Sequence, residues 1–229
     1  NLKWKIMNDN KFFLLARSNM VKNQIITNQV SNQNLIDAFL EVKKELFVDT
    51  TNFSVVYSDS NILLKKNRFL MKTFTFAKML EHCDVKSNES ILVLSCLTGY
   101  SIAIISKVAG YVFGIEKDNE FVKKANEILT SQGYLNCSVY QSNPADGLKK
   151  NAPFDKIIIE GGVDYIPISI YKQLKEDGKI FFMKRKSENY IFEFTVGLKN
   201  NENISYQPLF SCNSFMIEEF TNPDKNEDL

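Results

Sequence analysis

A lone carboxylate that follows an apolar strand, about 17 positions beyond a glycine turn, suits one chemistry above others: accepting hydrogen bonds from the hydroxyls of a sugar. Glu116 is that carboxylate, and the turn is Ser95-Cys-Leu-Thr-Gly-Tyr100. Backbone N–H groups and a helix N-terminus at such a turn face a ligand's polar end. Gly99 matters because a missing Cβ permits positive φ and close approach. Ser95 and Leu97 stand where further glycines are usual, so these residues leave two readings: a nucleoside-cofactor site or an ordinary strand-to-helix turn. Asn143 follows the next strand, where its side-chain oxygen suits an adenine amino group; Asn before Pro144 is also a plain turn former. Glu160, in Glu160-Gly-Gly162, is a site carboxylate or an exposed strand end. His82, the one histidine, reads as a solvated helix-terminal residue rather than a general base.

The elements that must position these groups are legible as alternating periods. Residues 11–30 have helical spacing with Phe13, Ala16, Met20 and Ile25 inward, and Ser31 caps a helix over 32–39. Residues 50–68 read as a loop or small hairpin lobe, and a helix over 73–82 turns Phe76, Met79 and Leu80 to one side. Strands then follow at 91–94, 111–115, 138–140, 156–159 and 179–183, with helices at 101–108, 119–131 and 168–175 between them. Gly133 stands at a helix C-cap. Residues 190–196 and 215–219 are expected to pair as strands at one edge. The pattern predicts an α/β fold, a doubly wound seven-stranded sheet with N-terminal helices and a small appended lobe. The expected divisions are 1–85, a helical segment with a substrate-side lobe; 86–220, the core; and 221–229, a tail.

Composition narrows the function. Lys plus Arg (28) nearly cancels Asp plus Glu (27) in 229 residues, which argues against a nucleic-acid or membrane-surface partner. The basic runs 65–68 and 184–186 are therefore read as solvated loop charge. Four dispersed cysteines without a CxxC pair predict no metal and no disulfide framework. No apolar run reaches the ~20 residues of a spanning helix, so a cytoplasmic protein is expected.

Taken in order, these pieces resemble the protein-L-isoaspartate O-methyltransferase family. Residues 18–210 carry the likeness: Met20-Val-Lys-Asn-Gln24 resembles its MVxxQ, Ala38 to Val48 its AxxxVPRExFV, and Tyr57-Ser-Asp59 its AYxD. Residues 92–101 hold the counterpart of its VLEIGTGSGY turn, 152–159 resemble APFDxIIV, and 173–179 QLxxGGR. The resemblance implies the fold of S-adenosylmethionine-dependent methyltransferases and S-adenosylmethionine as cofactor. By it, Glu116 holds the ribose, Gly99 and Tyr100 wall the methionine end, and Asn143 lies by the adenine. Met71, Lys72 and Thr73 take the substrate side, where Met71 replaces the Ser and Thr73 the Pro of TISQP. The stretch Arg68-Phe-Leu-Met-Lys-Thr73 is closer to the RxLLEP of a divergent branch. The cofactor motif departs at Val93, where the family's acid for the methionine ammonium is missing, and at Ser95 and Leu97, where its glycines are missing.

The implied reaction is methyl transfer to a protein or peptide carboxylate at an isoaspartyl residue; the ester then closes to a succinimide, which starts repair. The departures leave two alternatives beside it: a binding or scaffold protein that has lost the cofactor, or a methyltransferase with a different acceptor. No catalytic base is assigned.

Overall fold

The computed structural model describes residues 2–186, 191–201 and 203–222, with side chains from residue 10 onward. The expected tail at 221–229 lies outside the described residues from 223 on. The chain forms two compact units, 1–84 and 85–229.

In the first unit α1 (Leu2–Met20) runs into one π-helical turn (Val21–Ile25), followed by α2 (Gln33–Glu41), a hairpin of β1 (Ile62–Lys65) and β2 (Arg68–Leu70), and α3 (Thr73–Cys83). Met20 and Ile25 are buried as expected, while Phe13 and Ala16 are half-buried. The cap of α2 is Asn32, not Ser31: Asn32 Oδ1 accepts from Leu35 N at 3.2 Å. Ser31 instead gives its hydroxyl and its N–H to Glu81.

Two buried polar clusters hold this unit, and both draw on its motif residues. Arg17 Nη1 donates to Tyr57 Oη at 3.1 Å and to Glu45 Oε1 at 3.4 Å, and Tyr57 donates to Glu45. Burial, reinforced by the bond to Glu45, pushes the Tyr57 phenol above its ordinary range. The second cluster centres on Lys44, a lysine with no exposed surface whose Nζ donates to Thr73 Oγ1 at 3.0 Å. Thr73 Oγ1 donates in turn to Met20 Sδ at 3.3 Å. Burial lowers the Lys44 pKa to about 7, opposed by the negative charge of Asp59.

The second unit is a seven-stranded sheet in the order β5-β4-β3-β6-β7-β8-β9. Its parallel strands are β3 (Ser90–Leu94), β4 (Tyr111–Glu116), β5 (Cys137–Gln141), β6 (Phe154–Val163) and β7 (Leu174–Arg185). The antiparallel edge is β8 (Ile191–Asn200) and β9 (Asn203–Asn213). The helices are α4 (Tyr100–Ser106), α5 (Asn119–Ser131) and the single turn α6 (Ile168–Tyr171). Asp118 caps α5 by accepting from Glu120 N at 2.9 Å, and Gly133 closes it at φ 75°.

Successive strand residues face opposite ways. Leu92, Leu94, Ile115, Ile157 and Ile159 join Ile170 of α6 and Phe220 in one apolar layer. Val93, Gly114 and Ile158 therefore face the other side, where a Cβ on Gly114 would lie 2.9 Å from Ile102 of α4. Both faces of the sheet are covered, which is why its central strands read as continuous apolar runs.

One strand expectation fails. The partner of β8 is 203–213, and 215–219 is not a strand: Met216 makes a single bridge with Gly162. Gly162 N donates to Phe215 O at 2.7 Å, and Ile217 N donates back to Gly162 O at 2.9 Å. The 215–217 segment is thus held against β6. Strand β9 hides from a pattern search because it is a mostly exposed edge strand, with Pro208 set beside a register shift.

Candidate functional site

The sequence-predicted cofactor residues follow the C-terminal ends of β3, β4 and β5, on one side of the switch point between β3 and β6 where such sheets take ligands. The turn after β3 holds three left-handed residues: Ser95 at φ 62°, Leu97 at 52° and Gly99 at 88°. These are the places where the related motif has glycines. Ser95 and Leu97 thus adopt the backbone region that favours glycine, at a cost of roughly 1–2 kcal/mol each. At Gly99 the missing Cβ is required, since one would lie 3.0 Å from Ala125 Cβ.

What holds the turn in this state is Glu116. Its Oε2 accepts from Leu97 N at 2.9 Å and its Oε1 from Asp118 N at 2.9 Å, so one carboxylate ties the β3 turn to the start of α5. Ser95 N and Cys96 N donate to Ile115 O, extending the ladder one step beyond the strands. The whole turn is out of water: Glu116 is 0% exposed, Leu97 3% and Tyr100 2%. The Oγ atoms of Ser95 and Ser101 are buried with no hydrogen-bond partner among the described residues.

Ser95→Gly is expected to stabilise the protein by about 1 kcal/mol. Relief of the left-handed strain and of a buried hydroxyl outweighs the extra chain entropy of glycine, about 0.4–1 kcal/mol. Urea unfolding of the two proteins checks it; equal or lower midpoint stability in the variant overturns the assignment of strain.

Asn143 is exposed, and its Oδ1 accepts from Ala145 N at 2.9 Å, closing the turn over Pro144–Asp146. The loop beyond is clamped by Gln173, whose Oε1 accepts from Leu148 N at 2.7 Å and whose Nε2 donates to Asp146 O at 3.0 Å. At the opposite strand ends, Asp155 accepts from Ser90 N at 2.7 Å and pairs with Lys175. The motif residues Asp155 and Gln173 therefore fix strand and loop positions.

The substrate-side trio lies in the first unit. Thr73 is fully buried and its hydroxyl is taken up by Lys44 and Met20, and Met71 is buried. Lys72 alone of the three presents surface, with Nζ 5.7 Å from the centroid of the Phe74 ring. Sequence reasoning passed over Lys44, whose setting comes from residues 29 and 24 positions away, and it left Glu160 undecided. Glu160 is 9% exposed at the end of the β6 stretch that pairs with β3. Among the described residues no group of His, Cys, Asp and Glu is arranged to hold a metal ion, and no helix is long and apolar enough to cross a membrane.

Residues 16–213 match the family model described as protein-L-isoaspartate(D-aspartate) O-methyltransferase. A relative from Shewanella sediminis, protein-L-isoaspartate O-methyltransferase 2, is 32% identical over 172 residues, spanning 75% of this chain and 70% of its own. Among solved structures, a protein-L-isoaspartate O-methyltransferase superposes with TM-score 0.80 at 19% identity, covering 90% of this chain and 67% of that one. A Plasmodium falciparum protein assigned to the same activity, in complex with S-adenosyl-L-homocysteine, superposes with TM-score 0.75 at 16% identity over 89% of this chain and 98% of its own.

Proposed function

Because this chain belongs to the protein-L-isoaspartate(D-aspartate) O-methyltransferase family, we propose that it transfers the methyl group of S-adenosylmethionine to the carboxylate of isoaspartyl residues in proteins and peptides. The observation that carries the cofactor part is the turn itself: three left-handed residues tied by Leu97 N to the ribose-type acid Glu116. Non-glycine residues held in the left-handed region cluster at ligand clamps and active sites, where the surrounding structure over-determines them, as Glu116 does here.

The residues fit the group. The unpartnered Oγ atoms of Ser95 and Ser101 are the kind of buried polar atom that a bound polar ligand satisfies. A carboxylate offers about four acceptor sites, so a group that holds a turn can also accept from sugar hydroxyls. Since Glu116 has no exposed surface, a sugar reaches it only after neighbouring side chains shift.

When bound, the cofactor supplies an electrophilic methyl on a sulfonium. The protein's own residues bind and align: Glu116 accepts from the ribose, Gly99 and Tyr100 wall the methionyl end, and Asn143 lies by the base. The acceptor carboxylate is ionised at neutral pH and attacks unaided, so no side chain takes a proton. Rate enhancement then comes from alignment and exclusion of water. On the acceptor side Lys72, half-buried and cationic, suits a substrate that carries carboxylates.

The test is calorimetric titration with S-adenosylhomocysteine, followed by transfer of labelled methyl from S-adenosylmethionine to an isoaspartyl peptide and its aspartyl counterpart. Binding and incorporation into the isoaspartyl peptide alone are expected. No binding at millimolar ligand, where binding energy is only about 4 kcal/mol, leaves the fold without the activity.

A further inference from the structure

Val93 stands where the family resemblance implies an acid for the methionyl ammonium, and β6, the neighbour of β3 on its other side, carries a carboxylate at Glu160. Leu94 pairs with Ile115 on one side and with Ile159 on the other. One step further along come Glu116, Ser95 and Glu160, a row across the end of β4, the turn after β3 and the place where β6 runs past its pairing with β3. That row straddles the switch point, with one carboxylate on each flank and about 10 Å, two strand spacings, between the outer backbones. The alternation that turns Leu94, Ile115 and Ile159 into the apolar layer gives Glu116 and Glu160 the face of Val93.

Glu160 is poised rather than incidental. It is 9% exposed, which is rare for a carboxylate without a structural or ligand role. Its backbone is pinned on the far side: a Cβ on Gly161 would meet Ile217 Cγ1 at 2.7 Å, and Ile217 N donates to Gly162 O at 2.9 Å. The register shift between Ile158 and Gly162 re-aims this strand end relative to β7. Between the two acids lies Ser95, whose hydroxyl is buried without a partner among the described residues.

We infer that Glu160 binds the ammonium group at the methionyl end of the cofactor, replacing from β6 the acid that Val93 removed from β3. The inference rests on the cofactor reading above. A molecule gripped at its sugar by Glu116 and at its amine by Glu160 lies across the β3 turn, over Ser95. A charge-assisted hydrogen bond to a buried carboxylate is among the stronger polar contacts.

The experiment is a cycle of two proteins and two ligands, read by calorimetry. Wild type and Glu160→Gln are titrated with S-adenosylhomocysteine and with its deaminated analogue, which keeps the carboxylate and thioether but lacks the amine. Wild type is expected to prefer the amine-bearing ligand at least tenfold. Glu160→Gln is expected to lose that preference while binding the deaminated analogue within twofold of wild type. Equal weakening of both ligands by the substitution, or a preference that survives it, overturns the assignment of Glu160 and leaves the cofactor reading intact. Failure of wild type to bind either ligand overturns the cofactor reading itself. Should Glu160→Gln not fold, the wild-type pair still decides: less than a threefold preference for the amine-bearing ligand overturns the proposal.

Discussion

Glu116→Ala is expected to weaken S-adenosylhomocysteine binding at least tenfold and to lower the unfolding free energy by about 3 kcal/mol. The two effects have separate causes. Affinity falls because the acceptor for the ribose hydroxyls is gone, and tenfold corresponds to about 1.4 kcal/mol. Stability falls because the buried carboxylate also accepts from Leu97 N and Asp118 N, each at 2.9 Å. Without it, these donors lose a charged acceptor, and a buried unsatisfied donor costs roughly 1–3 kcal/mol. Leu97 is also released from the left-handed state that the bond maintains, which softens the turn. Calorimetry and urea unfolding on the same preparations separate the two. Unchanged affinity removes Glu116 from the cofactor site, and unchanged stability shows that the turn is held by something else.

The second large effect concerns Lys44 and pH. Its pKa is about 7 in the folded protein against 10.5 when solvated, so the unfolded chain binds more protons between those values. Unfolding free energy therefore rises with pH across that window, by at most about 1.4 kcal/mol per unit. The stability is fully present above 10.5 and is lost as pH falls towards 7; below 7 both states are protonated and the full cost of burying the ammonium stands. The whole swing is about 5 kcal/mol. Lys44→Met keeps the length of the side chain and removes the charge, at the loss of the bond to Thr73 Oγ1. The difference in stability between variant and wild type is expected to be constant below pH 7 and to shrink as pH is raised from 7 to 10, with the variant more stable at pH 6. A difference independent of pH excludes a neutral buried lysine. Because Thr73 begins α3 beside Met71 and Lys72, the same titration reports on the segment assigned to the acceptor side.

Local pattern made much of the second unit readable. The central strands β3 and β6, and most of β4, are buried on both faces, so each reads as an apolar run bounded by turn residues. The caps of α5 at Asp118 and Gly133 follow from residue chemistry within one turn of the chain. Glu116 was recognisable because its position at a strand end depends only on where that apolar run stops. The edge was harder. Strand β9 buries little and carries Pro208, and the apolar residues of 215–219 have the look of a strand although Ile217 packs instead against Gly161, a contact more than fifty residues away in sequence.

By itself, then, the sequence determined an alternating α/β sheet, a turn and an acid at its switch point, and a family likeness strong enough to suggest the reaction. Only the tertiary structure decided that Ser95 and Leu97 adopt the backbone region that favours glycine, that Glu160 stands in one row with Glu116, and that Lys44 is sealed from water beside Thr73. Propensity and period report on a residue and its near neighbours. Left-handed strain, strand register and the desolvation of a charge are set by groups that meet only when distant segments pack.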